Sequence, residues 1–209
     1  MKCHRCRQDA VYKCSSCGHL LCFDHVRFRT ICPECIEKAA FRYSIRRITS
    51  KDKEEIRGIV EKFWGEDEQL TFDRRFKISQ LPGYVAKTKN KIIGFITTAE
   101  IADATLIATL GVLPEYQGSG VGKKLVKKIE SNSLAENKKR LLVSTSNDDL
   151  PALAFYQSIG FQIFEVRPNV IALKHGKVYS GIGKLPIRDE LRLQKTLCRE
   201  KKDKKFQEV

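Results

Sequence analysis

Seven cysteines lie between Cys3 and Cys35, and with one histidine they form pairs that each enclose two residues. In order these are Cys3/Cys6, Cys14/Cys17, Cys22/His25 and Cys32/Cys35. That spacing lets a tight knuckle turn both side chains toward one metal ion. Gly18, directly after Cys17, has the backbone freedom such a turn uses. Eight donors make two tetrahedral Zn²⁺ sites, one with three thiolates and an imidazole, the other with four thiolates. Every position is filled by protein, which is the arrangement of structural rather than catalytic zinc. The competing reading is a set of buried, unliganded cysteines. Only four residues separate Cys17 from Cys22. This favours interleaving, with Cys3, Cys6, Cys22 and His25 on one zinc and Cys14, Cys17, Cys32 and Cys35 on the other. His19 is the less favoured substitute for His25. A module this short buries too little apolar surface to fold alone, so zinc must supply much of its folding energy.

A second chemical signal spans residues 110–123, Leu-Gly-Val-Leu-Pro-Glu-Tyr-Gln-Gly-Ser-Gly-Val-Gly-Lys. An apolar strand enters a glycine-rich turn that opens a helix. Gln117, Gly118, Ser119, Gly120, Val121 and Gly122 expose successive backbone N–H groups at a helix N-terminus, a seat for phosphate oxygens. The pattern fits neither a Rossmann fingerprint nor a Walker loop, since Gly122-Lys123 is followed by Lys124 rather than Ser or Thr.

The elements that must position this loop can be read from periodicity. A short helix is predicted over 33–41, then a first strand over 43–48, with no flexible spacer between them. The finger is therefore expected to pack in a fixed orientation against the second domain. A helix over 51–64 carries the stripe Ile56, Ile59, Val60, Phe63 and Trp64, with Ser50 as N-cap and Gly65 as stop. An irregular segment comes next. Strands are expected near 83–88, 91–101 and 104–112, then a helix over 120–136 with Val121, Leu125, Val126 and Ile129 inward. A strand at 141–144, a helix over 150–159, a strand over 161–167 and a loop over 181–186 precede a final strand over 186–195. In that strand Leu191 and Leu193 face one way and Arg192 and Gln194 the other. A helix is the runner-up there.

With these elements in place, residues 43–196 resemble the GNAT acetyltransferase superfamily. Gln117-Gly-Ser-Gly120-Val-Gly122 matches its acetyl-CoA signature, Gln/Arg-x-x-Gly-x-Gly/Ala. A second family motif matches Asn147-Asp-Asp-Leu-Pro-Ala-Leu-Ala-Phe-Tyr156-Gln-Ser-Ile-Gly160-Phe161, with Asp149 where the family usually has Asn. The resemblance implies an α/β (α+β) GNAT fold: a mixed, mostly antiparallel sheet flanked by helices, here with a small N-terminal zinc-binding module. It also implies backbone pairing of Leu110, Gly111 and Val112 with the pantetheine arm of acetyl-CoA, and a pyrophosphate seat at 117–122 continued by Lys123. Asn147 and Asp149 stand at the second motif, Asn147 contacting CoA or ordering the strand end. Tyr156 is the expected proton donor to the leaving thiolate, or else a packing aromatic. The glutamate base of many relatives would fall near Thr105 or Leu106, and neither is a base. Glu100 is the substitute taken here, with Asp103 beside it; a water chain and loss of activity are the alternatives. The segment 14–25 resembles B-box-type fingers, in which the interleaved pairing occurs and which bind proteins or, less often, nucleic acid.

Composition sets the remaining bounds. The chain has 209 residues, 42% hydrophobic and 31% charged, suiting one medium domain and a small module. The expected division is a finger binding two Zn at 1–41, an acetyltransferase domain at 42–196 and a basic tail at 197–209. The formal charge of +14 falls to +11 when seven thiolates and two Zn²⁺ are counted. Residues 199–205 carry five positive and two negative charges. A basic protein of this kind suits a polyanionic partner such as RNA or a ribosome, or is simply soluble. No apolar run approaches the ~18 residues that span a bilayer, and the N-terminus has no secretory h-region. The expectation is therefore a cytoplasmic protein with no membrane contact. Two functions compete. One is an acetyl-CoA-dependent N-acetyltransferase acting on an amine acceptor, protein or small molecule, with the finger as docking module. The other is a nucleic-acid- or ribosome-associated binding protein with a degenerate or secondary GNAT domain. Cys198 has no assigned role.

Overall fold

A computed structural model describes residues 1–14, 18–22, 25, 42–89, 91–181 and 184–197. The expected ligands Cys17, Cys32 and Cys35, the helix read over 33–41, the join to the finger, Cys198 and the basic tail lie outside the described residues.

The chain divides into two compact units, one of residues 1–69, 77–97 and 109–126, the other of 70–76, 98–108 and 127–209. In the first, β1 (Tyr12–Lys13) and β2 (Leu20–Leu21) pair antiparallel. Next come β3 (Ser44–Arg47), a 3₁₀ turn at Ser50–Asp52 and α1 (Lys53–Trp64). Ser50 is not the cap. Asp52 stands at that position, and Thr49 caps the 3₁₀ turn ahead of it, its N–H and hydroxyl donating to the Asp52 carboxylate at 2.9 and 2.7 Å. A pair spaced by three satisfies two donors, which one serine hydroxyl cannot. Asp52 is also gripped by both Arg46 guanidinium nitrogens at 2.7 Å. Gly65, at φ +83°, ends α1 as expected. Ile56 and Val60 are fully buried, and Trp64 sets its ring edge-on to Phe95.

β6 (Gly83–Lys87) pairs with β3 and with β7 (Ile92–Ile101), and β8 (Ala104–Val112) comes directly after β7. Gly83 is required sterically, because a Cβ there would sit 1.9 Å from the Ile96 carbonyl oxygen. Strand β8 leads into α2 (Val121–Ala135), whose Val121, Leu125, Val126 and Ile129 are buried as the periodicity predicts.

Where the sequence suggested an irregular segment there is a hairpin, β4 (Glu68–Thr71) and β5 (Arg74–Lys77). Its turn residues Phe72 and Asp73 both have positive φ, 51° and 60°. Such turns ordinarily carry Asn-Gly or Asp-Gly, so no turn signature announces this one. In the second unit, β9 (Arg140–Ser146) runs parallel to β8 from Ala104↔Arg140 to Ile107↔Val143. Then come α3 (Leu150–Ser158), β10 (Gln162–Arg167), α4 (Val170–His175), the short pair β11 (Tyr179–Ser180) and β12 (Pro186–Ile187), and β13 (Glu190–Thr196). Strand β13 inserts antiparallel between β10 and β9. The strand order is β10-β13-β9-β8-β7-β6-β3, the mixed, mostly antiparallel sheet expected of the fold.

One face of β13 departs from its period-two reading. Leu193 is buried, but so are Glu190 and Arg192. The β4–β5 turn covers that face. Arg192 is satisfied there by Glu190 at 2.9 Å, Asp73 at 2.9 Å and Glu165 at 3.1 Å, with its guanidinium over the Phe72 ring.

Candidate functional site

The Sγ atoms of Cys3, Cys6 and Cys22 and a ring nitrogen of His25 lie within 4.8 Å of one another. The β1–β2 ribbon holds them, with His4 N–H bonded to the Leu20 carbonyl at 2.8 Å and Cys3 N–H to Gln8 at 2.9 Å. Separations are 3.6 Å for Cys6–Cys22, 3.3 Å for Cys22–His25 and 3.8 Å for Cys3–His25. Zn–S near 2.3 Å and Zn–N near 2.0–2.1 Å imply tetrahedral edges of about 3.6–3.8 Å, so the donor set fits a zinc ion. Burial raises the Cys3 thiol, but backbone N–H groups of Cys22, Arg5 and Cys6 outweigh it and bring it down to about 6. Cys6 beside it moves the other way: the Gln8 N–H lowers it, but burial and the Cys22 and Cys3 thiols outweigh that and raise it. Cys14, expected in the other site, is buried, and its expected co-ligands lie outside the described residues.

The glycine-rich segment leaves β8 through a short 3₁₀ turn, Pro114–Tyr116. Gln117 turns back and donates from Nε2 to the Val112 carbonyl at 3.0 Å, tying the loop to the end of the strand. Ser119 is folded in by its hydroxyl on the Tyr116 carbonyl. Gly118 and Gly120 take φ +79° and +83°, a conformation that costs a side-chain-bearing residue about 1–2 kcal/mol. The first rung of α2 runs from Lys124 N–H to Gly120 C=O at 3.0 Å, so the N–H groups of Val121, Gly122 and Lys123 precede the ladder. A Cβ built on Gly120 meets nothing within 4 Å. The space above the helix start is open, as an anion seat requires. Val121 instead points inward, against Gly94. Leu110 and Val112 are half-buried and Gly111 is buried; a Cβ on Gly111 would lie 2.6 Å from the Phe95 ring.

In the other unit, Tyr156 on α3 is 6% exposed and edge-packed between Phe155 and Phe161. Burial, and then the Asp149 carboxylate, push its phenol well above the ordinary tyrosine value. Asp149 caps α3 by accepting the Ala152 N–H at 3.1 Å, and its own acidity is weakened by burial. Asn147 spends its amide on the turn before β13. It donates to the Pro186 carbonyl at 2.7 Å and accepts from the Arg188 and Asp189 N–H groups at 3.0 Å.

Glu100 does not have the surroundings of a base. Its side chain is 73% exposed and ion-paired to Lys138 at 2.8 Å. Asp103 is likewise held by Arg140 and Lys139 at 3.3 and 3.5 Å, and Arg140 is the main cause of its lowered pKa. Strand β8 carries no carboxylate at all. No sequence motif marks the buried Thr97 and Thr109 or the half-buried Gln69, because Thr and Gln in a strand carry none.

A strand-to-glycine-turn-to-helix seat beside a mixed sheet can hold a phosphate-bearing cosubstrate. The profile of the acetyltransferase (GNAT) family matches residues 43–161, and the chain belongs to that family of N-acetyltransferases. The uncharacterized protein YxbD of Bacillus subtilis is 31% identical over 150 residues, 69% of this chain and 93% of its own. The [ribosomal protein bS18]-alanine N-acetyltransferase of Haemophilus influenzae is 32% identical over 80 residues, 38% of this chain and 54% of its own. Among solved structures, an IAA acetyltransferase from Bacillus cereus superposes with a TM-score of 0.61 at 25% identity, covering 75% of this chain and 100% of that one. Among the described residues no helix is long and apolar enough to cross a membrane.

Proposed function

We propose that this chain transfers the acetyl group of acetyl-CoA to an amine by direct attack on the thioester. The observation that carries the reading is the loop at 117–122: two left-handed glycines, a helix start with N–H groups ahead of the ladder, and open space above Gly120. Those N–H groups hold the pyrophosphate, and Lys123 adds a positive charge beside it. The backbone of Leu110, Gly111 and Val112 pairs with the pantetheine arm and aims the thioester. Tyr156, which burial keeps protonated, gives its proton to the sulfur as negative charge develops there. Asn147 and Asp149 fix the ends of β9 and α3 that carry Tyr156. Cys3, Cys6, Cys22 and His25 hold one structural Zn²⁺, and on ligand spacing alone Cys14, Cys17, Cys32 and Cys35 hold the second. The finger is a docking module for the acceptor or its carrier.

Calorimetric titration of the zinc-loaded chain with acetyl-CoA tests this. Binding in the micromolar range is expected, and Gly120→Glu should abolish it by filling the anion seat with a carboxylate. Absence of binding by the natural sequence would overturn the reading.

A further inference from the structure

Strand β8 lacks a carboxylate and Glu100 faces solvent, so the proton released by the attacking amine needs another way out. Two buried threonines, Thr97 and Thr109, and the half-buried Gln69 stand near the start of the 110–112 stretch, Thr109 directly before Leu110. Thr97 is fully buried, and its hydroxyl oxygen has no hydrogen-bond partner among the described residues. Its cross-strand neighbour on β6 is Gly83, which offers no side chain. Thr109 is also buried, and its hydroxyl bonds the Gln69 amide oxygen at 3.1 Å. The other end of that amide, Nε2, is buried without a partner. Turning the amide over merely exchanges which end is satisfied.

These groups share a face. A Cβ on Gly111 would touch the Phe95 ring, so positions 95 and 111 are neighbours on one side of the β7–β8 pair. Two residues back along β8 and two forward along antiparallel β7 are Thr109 and Thr97, on that same side. An orphaned hydroxyl and an orphaned amide end beside a second hydroxyl are costly to bury dry. Together they offer the two to four polar contacts that a buried water takes.

We propose that Gln69, Thr97 and Thr109 hold an ordered water that relays the amine proton to solvent. The inference rests on the acetyl-transfer reading above. As the amine nitrogen bonds to the thioester carbonyl carbon and the carbon–sulfur bond breaks, the nitrogen's proton passes to the held water. That water passes a proton outward, while the sulfur takes one from Tyr156. The three residues act through the water and are positioning residues.

The test uses Thr97→Val and Thr97→Ser in the full zinc-loaded chain, with acetyl-CoA and two probe amines, an alanine-starting peptide and spermidine. Thr97→Val keeps the shape and loses the hydroxyl; Thr97→Ser does the opposite. A relay predicts that Val lowers kcat about tenfold or more with KM for acetyl-CoA unchanged, and that Ser restores it. A packing role predicts the reverse order and overturns the proposal. A water-to-Thr97 nuclear Overhauser contact, present in the natural chain and Thr97→Ser but absent in Thr97→Val, reads the same site without turnover; its absence from the natural chain also overturns it. If acetyl-CoA fails to bind, the acetyl-transfer reading falls. If acetyl-CoA binds and transfer occurs with no ranking of the variants, the relay alone falls.

Discussion

Replacing Arg192 with Met should destabilise the protein far more than any surface ion pair would. The guanidinium reaches Asp73, Glu165 and Glu190, but these partners are unequal. Asp73 and Glu165 side chains are 53% and 35% exposed, so water and salt screen them, and each pair contributes about 0–1 kcal/mol. Glu190 is 4% exposed. Without Arg192 it keeps the Phe72 N–H at 3.0 Å and the Thr71 hydroxyl at 3.4 Å, both on one oxygen. The other oxygen is left charged and bare. Breaking a buried pair in this way costs about 3–5 kcal/mol. For a chain of this size each kcal/mol moves Tm by about 2–4 °C, so Arg192→Met should lower Tm by about 6–20 °C. Adding Glu190→Gln removes the stranded charge and should recover more than half of that loss. Differential scanning calorimetry at pH 7 on the four proteins of the cycle measures both effects. A single-variant loss below about 1 kcal/mol, or no recovery in the double variant, would refute the assignment of the cost to Glu190.

Three further outcomes are expected. The Arg46 guanidinium, with Thr49, holds Asp52 well below the ordinary carboxylate range. Its stabilisation is complete above the unfolded value near ~4 and is lost as pH falls through the lower folded value; Tm curves of the natural chain and Asp52→Asn should therefore differ at pH 7 and converge in acid. Tyr156→Phe should lower kcat about 10²-fold or more while leaving acetyl-CoA affinity unchanged, and the natural enzyme should show no loss of rate at the ordinary tyrosine value near ~10, because burial holds the phenol protonated above it. Native mass spectrometry should find two Zn²⁺ per chain, Cys22→Ser should retain one, and a strong chelator should unfold the finger; a metal-free natural chain would count against both sites.

What could be read from residues alone divides along a physical line. Local signals were legible. The helix at 121–135, the strands at 92–101 and 104–112 and the stop at Gly65 each arise from period, glycine or cap chemistry within a few positions. The candidate metal donors Cys3, Cys6, Cys22 and His25 were legible because ligand spacing is itself local, and the fold brings those four together. The β4–β5 hairpin was not, since Phe72 and Asp73 adopt positive φ under tertiary duress: the Phe72 N–H is held by Glu190 and the Asp73 carboxylate by Arg192, both more than a hundred residues away. Arg192 read only as lying on the face opposite Leu191 and Leu193, with no sign of its burial, for the same reason. Its burial is set by a turn that no window around residue 192 contains.

The same line explains why the proposed acid and the proposed proton route differ in legibility. Tyr156 sits in a helix directly after a recognisable Asn147–Asp149 segment, so its place is encoded within ten residues. A route for the amine proton has no such local requirement. It can be built from any hydroxyls and amides that strands from different parts of the chain bring to one face; in the relay proposed above these are Gln69 from β4, Thr97 from β7 and Thr109 from β8. The test on Thr97 therefore bears on more than one side chain. Val retaining activity that Ser loses would mean that Thr97 serves packing. Ser retaining what Val loses would mean that a strand without a carboxylate still moves the proton, through positions that no local pattern marks.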